Sequence, residues 1–428
     1  MKRSGLAVCA LLWASLAPGQ GSGGVNLPSQ RDKPHLILIS IDGFRHDYID
    51  LVDTPALDAI AGEGVRAEAM VPVYPTLTFP NHYSIATGLY PARHGLIGNT
   101  FPDPARDRWY SIGNRESVED GSWYRGSPAW SVAEENGVVA AAFYFVGTEA
   151  AIGGVRPTYW KRFDASVPGA ERVDQVLEWL GMPPETRPHF LTLYFEHVDS
   201  AAHDHGPESD QALRAVRQVD SWLARLRAGI AGLGLDDVHY VLVSDHGQAR
   251  YDDEPPFIVE TVANLDGVMA VDHGSVAFLY FRHADAPRAD GIRDAINAAW
   301  EYGRAYLPAD APPGWHIPAD AGFADVIVQA DPGYAVLSRA DRRVTSIGDH
   351  GWAPEAPAMH GIFLAAGPRL PQGVTIGKID AVDVYPLLLA ILGLPMPGAI
   401  DGDAALLPSL LAAAGPEFPD HRQAVVPR

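Results

Sequence analysis

The chain has 428 residues, of which 47% are apolar and 20% are charged, a composition typical of a globular protein with one large α/β domain or two to three average ones. Its 32 basic and 53 acidic residues give a net charge of −21, which argues against duplex nucleic acid or an anionic membrane as a partner. The only cysteine is Cys9, so we expect no disulfide, and any transition metal must be held by histidine and carboxylate side chains.

The first 24 residues have the pattern of a secretory signal peptide followed by a spacer. Lys2 and Arg3 precede an apolar run from Leu6 to about Leu16, and small residues and a Gly/Ser-rich stretch follow. The run is too short to span a bilayer, and no stop-transfer pattern comes after it. We therefore expect a periplasmic or secreted protein without a membrane span, with one main domain over 33–412 and a tail over 413–428.

Four short apolar runs are predicted as buried parallel strands, because β-branched and large apolar residues dominate them. They cover residues 35–42, 189–197, 239–247 and 360–367. Helical patterns cover residues 54–65, 211–230 and 382–395. The alternation indicates an α/β fold with a doubly wound, mostly parallel sheet flanked by helices. Residues 248–345, with proline pairs and a helical stretch near 292–302, are interpreted as an inserted smaller cap lobe.

Polar side chains follow three of the predicted strands at their carboxyl ends, the edge at which open α/β sheets bind ligands. Asp42 ends the first strand, Asp199 and His203 follow the second, and Asp245 with His246 ends the third. The i, i+4 spacing of the middle pair places both side chains on one helix face, which suits joint binding of a divalent cation. With one more histidine these residues would form two cation sites, as in phosphoryl transfer, and zinc is the expected ion. A lone strand-end aspartate, however, more often caps a turn.

The tripeptide Asp-His-Gly occurs four times, at 204–206, 245–247, 272–274 and 349–351, so context must decide which copies bind metal. Apolar runs flank Asp272-His273 on both sides, and we predict a hairpin turn of the cap lobe there.

Five motifs resemble, in this order, those of the nucleotide pyrophosphatase/phosphodiesterase family of the alkaline phosphatase superfamily. They are SIDGFR, YPTLTFPNHYSIATGLYPARHGLIGN, EHVDSAAHDHGP, SDHG and GDHGWAPEAPAMHGIFLAAGP. The motifs lie between about residues 35 and 395, nearly the whole chain after the leader. The resemblance implies an alkaline phosphatase-like catalytic domain and a two-zinc phosphodiesterase or nucleotide pyrophosphatase.

The resemblance also implies a role for particular residues. One zinc would be held by Asp42, Asp245, His246 and the nucleophile, Thr78. The other would be held by Asp199, His203 and His350, with His360 as the competing choice for the last position. Asn99 matches the residue that hydrogen-bonds a non-bridging phosphoryl oxygen.

The implied mechanism begins with attack of Thr78 on phosphorus and passes through a phosphothreonine diester that water then hydrolyses. Thr78 precedes Phe79-Pro80 at a predicted helix start, where it would be the N-cap and the helix would direct its free N–H groups toward the phosphate. Phe79 and Tyr159 are the predicted stacking surfaces for a nucleobase, although Tyr159 could equally be a half-buried core residue. The stretch FVGTEA (145–150) departs from the family's Trp-Pro-Gly-Ser-like sequence, which leaves base and leaving-group preference open.

Charge favours a particular substrate class. The charge of two zinc ions equals that of three aspartates and an alkoxide, so a monoanionic phosphodiester should suit the site better than a dianionic monoester. The alternatives are a phosphomonoesterase or phosphonate hydrolase of the same superfamily and, more remotely, a non-catalytic periplasmic binding protein. A sulfatase would need Cys or Ser in a different motif. Nucleotides, dinucleotides, cyclic nucleotides and phospholipid head groups all stay open as substrates, and the sequence indicates no protein partner.

Overall fold

The computed structural model describes residues 23–103, 106–281, 285–319 and 322–412. Nearly all of the predicted leader, including Cys9, and the whole of the predicted tail over 413–428 lie outside these ranges.

The secondary structure alternates between strands and helices, as the sequence pattern predicts. The strands are β1 (His35–Ile41), β2 (Gly64–Ala67), β3 (Met70–Val71), β4 (Thr100–Asp103), β5 (Arg108–Ser111), β6 (Ala140–Phe143), β7 (Tyr159–Trp160), β8 (Phe190–Phe195), β9 (Val238–Val243), β10 (Ala249–Arg250), β11 (Phe257–Ile258), β12 (Val268–Asp272), β13 (Val276–Phe281), β14 (Gly303–Tyr306), β15 (Val326–Ala330), β16 (Val336–Leu337), β17 (Gly348–Asp349), β18 (Phe363–Ala366), β19 (Val374–Ile376) and β20 (Ile379–Asp380). The helices are α1 (Tyr48–Leu51), α2 (Pro55–Gly62), α3 (Thr78–Thr87), α4 (Pro91–His94), α5 (Arg115–Glu119), α6 (Ala129–Glu135), α7 (Gly169–Leu180), α8 (His197–His205), α9 (Asp210–Leu233), α10 (Ala286–Ala299), α11 (Val384–Ile391) and α12 (Ser409–Ala412).

The largest sheet has eight strands in the order β19-β2-β18-β9-β1-β8-β6-β7. Strands β9, β1, β8, β6 and β7 pair in parallel, which confirms the predicted mostly parallel α/β sheet. The prediction of a parallel strand over 360–367 is wrong, because β18 is antiparallel to both β9 and β2. Its first residue, Phe363, pairs with Val243, the last residue of β9, so this strand enters the sheet from the opposite edge.

Helices cover both faces of the sheet, which explains why every residue of β1 is buried. Leu36 and Leu38 belong to a hydrophobic cluster with residues of α3, α6 and α11. Ile37 and Ile39 belong to a second cluster with residues of α2, α7 and α9. Each such buried side chain contributes about 1.5–3 kcal/mol relative to an exposed one, so the two clusters hold the strand ends in place.

The second sheet is smaller, antiparallel and lies within the segment predicted as a cap lobe. Its four strands run in the order β12-β13-β15-β14. Residues of β13, β15 and α10 form a hydrophobic cluster of their own. The turn between β12 and β13 contains His273, as predicted from the flanking apolar runs. Within the described ranges, no helix is both long enough and apolar enough to cross a membrane.

Candidate active site

The carboxyl ends of three adjacent parallel strands bring the predicted site residues together. Asp42 follows β1, α8 with Asp199 follows β8, and Asp245 follows β9. Gly43 allows the close approach of these elements, because a Cβ on this residue would lie 2.9 Å from the Cα of Asp199 and its φ is +65°. The Gly43 N–H donates to Asp245 Oδ1 at 3.2 Å, which ties the first and third strand ends together.

A first group of side chains surrounds His246. Its Nε2 lies 3.1 Å from Asp245 Oδ2 and 3.6 Å from Asp42 Oδ1. Thr78 Oγ1 lies 3.4 Å from the same nitrogen. These are the four residues that the family resemblance implies for one zinc.

A second group adjoins the first. His203 Nε2 lies 3.4 Å from Asp199 Oδ1, as the i, i+4 spacing on α8 predicts, and His350 Nε2 lies 4.0 Å from the same oxygen. The rings of His246 and His350 stack with centroids 3.6 Å apart, so the two groups share a boundary. The competing histidine, His360, is not in this group, and its Nε2 is 3.0 Å from the carbonyl oxygen of Pro354.

The protonation pattern of the three histidines fits a metal ion. Nδ1 of each lies within hydrogen-bonding distance of a backbone carbonyl: 2.8 Å from Gly348 O for His203, 3.0 Å from Gly247 O for His246 and 2.8 Å from Thr76 O for His350. A carbonyl accepts but cannot donate, so Nδ1 of each ring carries a proton, and Nε2 is the atom that faces the carboxylates and would bind a metal ion in place of its own proton. Asp42 Oδ1 is buried and has no hydrogen-bond partner among the described residues. Asp245 Oδ2 is also buried, and two histidine nitrogens lie within ion-pair distance of it, His246 Nε2 at 3.1 Å and His82 Nδ1 at 3.2 Å. These donors match the nitrogen and oxygen ligands of zinc.

The electrostatics of the group also favour a cation. Burial raises the pKa of the Asp42 carboxyl well above its ordinary value, and the nearby charges of Asp245 and Asp199 raise it further. Burial alone would lower the pKa of His203, but its hydrogen bond and charge interaction with Asp199 raise this pKa to about 9. A bound dication would relieve the repulsion among the three carboxylates.

Helix α3 presents Thr78 to the first group. The prediction that Thr78 is the N-cap is wrong, because Leu77 has the extended N-cap conformation and Thr78 is the first helical residue. Its hydroxyl is therefore not used for capping. Asn99 Oδ1 accepts the Phe79 N–H at 2.9 Å, which orients the amide NH₂ of Asn99 away from that contact and free to donate.

The other hydroxyls of this segment are engaged elsewhere. Thr76 is fully buried and donates to Trp352 O at 2.7 Å. Ser84 Oγ lies 3.0 Å from His94 Nε2. Thr78 is half-buried, whereas Thr76 and Ser84 are buried, so Thr78 is the most exposed of these three residues.

The two predicted stacking residues lie in different places. Phe79 is half-buried next to Thr78, with its ring centroid 6.1 Å from that of Tyr110. Tyr159 lies on the edge strand β7, where its ring stacks with that of Trp179 at 6.2 Å, and the structure does not bring it to the two groups.

A different aromatic residue lies near Asp42. Phe163 is 41% exposed, and its ring centroid lies 6.1 Å from that of Tyr194, whose hydroxyl donates to Asp42 Oδ2 at 2.6 Å. The Phe163 N–H donates to Glu149 at 3.4 Å, and Glu149 forms an ion pair with Arg115. Glu149 belongs to FVGTEA, the stretch that departs from the family sequence.

Sequence reasoning missed several of these contacts. Tyr194 pairs with Ser40 across β1 and β8, and its contact with Asp42 becomes visible only once that register is known. Gln248 donates to the Asp199 carboxylate, and Asp349 Oδ1 lies 3.8 Å from His203 Nδ1. In the sequence, the position of Gln248 two residues after the predicted ligand His246 could have indicated that Gln248 lies at the site.

A mostly parallel α/β sheet with two adjoining Asp/His groups at its carboxyl edge and a threonine at a helix start defines the alkaline phosphatase-like class. A family model described as Type I phosphodiesterase / nucleotide pyrophosphatase matches residues 36–353. The chain belongs to this family, which confirms the resemblance seen in its motifs.

Relatives and solved structures agree with this assignment. Mouse ectonucleotide pyrophosphatase/phosphodiesterase family member 1 is 32% identical over 397 residues, which cover 90% of this chain and 43% of that protein. An uncharacterized pyrophosphatase/phosphodiesterase of Schizosaccharomyces pombe is 31% identical over 435 residues, covering 92% and 87% of the two chains. The structure of murine ectonucleotide pyrophosphatase / phosphodiesterase 5 matches with a TM-score of 0.82 at 26% identity and covers 88% of this chain and 99% of that one. The chain thus spans less than half of the mouse member 1 protein but most of the fission-yeast one.

Proposed function

We propose that this protein is a two-zinc phosphodiesterase or nucleotide pyrophosphatase that works through a covalent phosphothreonine intermediate. The observation that carries the proposal is the position of the Thr78 hydroxyl, 3.4 Å from His246 Nε2 at the start of α3 and beside two groups of Asp and His ligands. A solved structure of an inactive threonine-to-alanine variant of murine ectonucleotide pyrophosphatase / phosphodiesterase 5 in complex with AMP supports both the nucleophile and a nucleotide substrate.

Asp42, Asp245, His246 and Thr78 would hold one zinc ion, and Asp199, His203 and His350 the other. When bound, the ions would lower the pKa of the threonine hydroxyl and neutralise charge on the reacting oxygens.

The chain's own residues position the reaction. Thr78 Oγ loses its proton and attacks phosphorus, the bond to the leaving-group oxygen breaks, and that oxygen leaves and takes up a proton from solvent as a Thr78–phosphate diester forms. Asn99 Nδ2 donates to a non-bridging phosphoryl oxygen, since its Oδ1 is occupied by the Phe79 N–H. The N-terminal end of α3 adds a positive potential at the same place. Water then attacks the phosphorus from the opposite side and releases Thr78 as a hydroxyl.

The surroundings of Thr78 favour a monoanionic phosphodiester. The three site aspartates balance most of the charge that two zinc ions would bring, which leaves little attraction for a second phosphate charge. Phe79 and the exposed Phe163 offer flat apolar surfaces near the site, which suit a nucleobase.

The periplasmic or secreted location that the leader sequence indicates stays a prediction.

The test compares hydrolysis of bis-(p-nitrophenyl) phosphate and p-nitrophenyl phosphate by purified protein, with and without EDTA and re-added zinc. We expect EDTA-sensitive turnover with a large preference for the diester. A strong preference for the monoester would instead support the monoesterase alternative, and zinc-free protein with no turnover of either ester would support a non-catalytic binding protein.

A further inference from the structure

His82, in the FPNHY stretch of α3, has three polar contacts around the first ligand group. Its Nδ1 lies 2.9 Å from the carbonyl oxygen of Thr78 and 3.2 Å from Asp245 Oδ2. Its Nε2 lies 2.8 Å from Ser40 Oγ. Ser40 lies on β1, two residues before Asp42. The His82 ring therefore contacts the segments that carry the nucleophile Thr78 and the carboxylates of Asp245 and Asp42.

The protonation state of the ring follows from its partners. The Thr78 carbonyl can only accept, so Nδ1 carries a proton, and Asp245 Oδ2 lies 3.2 Å from the same nitrogen, within ion-pair distance. Nε2 is then free to accept the hydroxyl hydrogen of Ser40. The rings of Phe145 and Tyr194 meet the imidazole at centroid distances of 5.0 and 5.3 Å in edge-on geometry, which fixes its orientation.

Two other roles for His82, as a metal ligand and as a general base, conflict with this geometry. His82, Asp42 and Asp245 place potential ligand atoms within 4.8 Å of one another, but both nitrogens of His82 already have hydrogen-bond partners. The side chain is also 0% exposed, so it cannot reach a substrate proton as a general base.

We propose that His82 is a positioning residue that fixes Thr78 and Asp245 relative to each other through its Nδ1–H. The proposal rests on the proposed function, because it assigns Thr78 as nucleophile and Asp245 as a zinc ligand. Outer contacts of this kind commonly change metal affinity or activity by about 10- to 100-fold when they are removed. A displacement of the nucleophile by about 1 Å has a comparable effect on rate.

Substituting His82 with asparagine or with glutamine distinguishes the roles of its two ring nitrogens. The nitrogen of an asparagine side chain can take the place of Nδ1, whereas that of a glutamine side chain comes closer to Nε2. We expect His82→Asn to keep zinc affinity, measured by chelator competition, within about threefold of the natural protein, and His82→Gln to lose about 10- to 100-fold. With zinc saturating, kcat for bis-(p-nitrophenyl) phosphate should fall in His82→Gln while KM stays unchanged, since His82 touches no substrate. Equal zinc affinities in the two variants, or a raised KM with unchanged kcat, would overturn the proposal.

His94 provides a matched control. It is also fully buried and also contacts a serine of α3, with His94 Nε2 3.0 Å from Ser84 Oγ, but it has no contact with the ligand groups. His94→Asn and His94→Gln should lower the thermal midpoint without separating the two variants in zinc affinity. If His94→Gln lowers zinc affinity as much as His82→Gln does, general destabilisation explains the effect and the proposal fails.

Ser40→Ala tests the same proposal if the His82 variants do not fold. Without the serine hydroxyl, the ring loses the contact that holds its Nε2 side in place and can turn away from Thr78 O and Asp245, so we expect zinc affinity to fall by about tenfold with unchanged KM. Unchanged zinc affinity in Ser40→Ala would contradict the proposal. A natural protein that binds zinc but hydrolyses no diester would refute the proposed function, while the zinc affinities would still decide the role of His82.

Discussion

Replacing Thr78 with alanine removes the hydroxyl that lies 3.4 Å from His246 Nε2 and leaves every aspartate and histidine of the two groups in place. The nearby Thr76 cannot substitute for it, because its side chain is fully buried and its hydroxyl donates to Trp352 O at 2.7 Å. Loss of a catalytic nucleophile commonly lowers kcat by about 10⁴-fold or more, which corresponds to about 5.5 kcal/mol of transition-state stabilisation. We therefore expect Thr78→Ala to abolish measurable turnover.

The assay follows diester hydrolysis and bound zinc in parallel. Thr78→Ala should retain the zinc of the second group and most of that of the first, since Asp42, Asp245 and His246 stay in place. Thr76→Ala is the matched control, and it should lose about 1–3 kcal/mol of stability for the unpaired Trp352 carbonyl while keeping most activity. If Thr78→Ala kept a tenth of the activity, or if Thr76→Ala were the inactive variant, the nucleophile would have been assigned to the wrong oxygen.

Three further predictions concern other parts of the structure. His350→Ala should lower zinc content by about one ion per chain, whereas His360→Ala, measured in the same way, should retain both, because His360 Nε2 contacts Pro354 O instead of the ligand groups. Phe163→Ala should raise KM for a nucleotide substrate several-fold. Tyr159→Ala should mainly lower the thermal midpoint, because Tyr159 stacks on Trp179. The reverse result would indicate that Tyr159 is the residue that stacks on the nucleobase. Burial lowers the pKa of His94 in the folded protein to about 3, whereas its usual value of 6.5 applies to the unfolded chain. As the pH falls below 6.5, the unfolded state therefore binds a proton that the folded state does not, and the folded state loses stability. The natural protein should therefore lose about 2 kcal/mol more than His94→Gln between about pH 7.5 and pH 5 in denaturant titrations, and identical losses would show that His94 is not buried in its neutral form.

Local sequence determined those features that depend on residues close together in the chain. The spacing of Asp199 and His203 was enough to predict their shared helix face, because four residues make about one helical turn. The apolar runs were enough to predict the strands that end at Asp42 and Asp245. Because parallel strands in an α/β sheet have their carboxyl ends at one edge, the runs also predicted that these two side chains lie close together. The order of the motifs was enough to indicate the family.

Tertiary structure decided features that depend on segments distant in the chain. The run over 360–367 reads as a buried strand in either direction, and its antiparallel pairing with β9 follows only from the edge at which the chain enters the sheet. The resemblance already favoured His350 over His360, but the stacking of His350 against His246 and its Nδ1 contact with Thr76 O are visible only in the structure. The contacts of His82 with Ser40 and Asp245 likewise join three separate segments. Helical and strand periodicity records which side of an element is buried, but hydrogen-bond partners across elements are set by packing, and packing is decided by the whole fold.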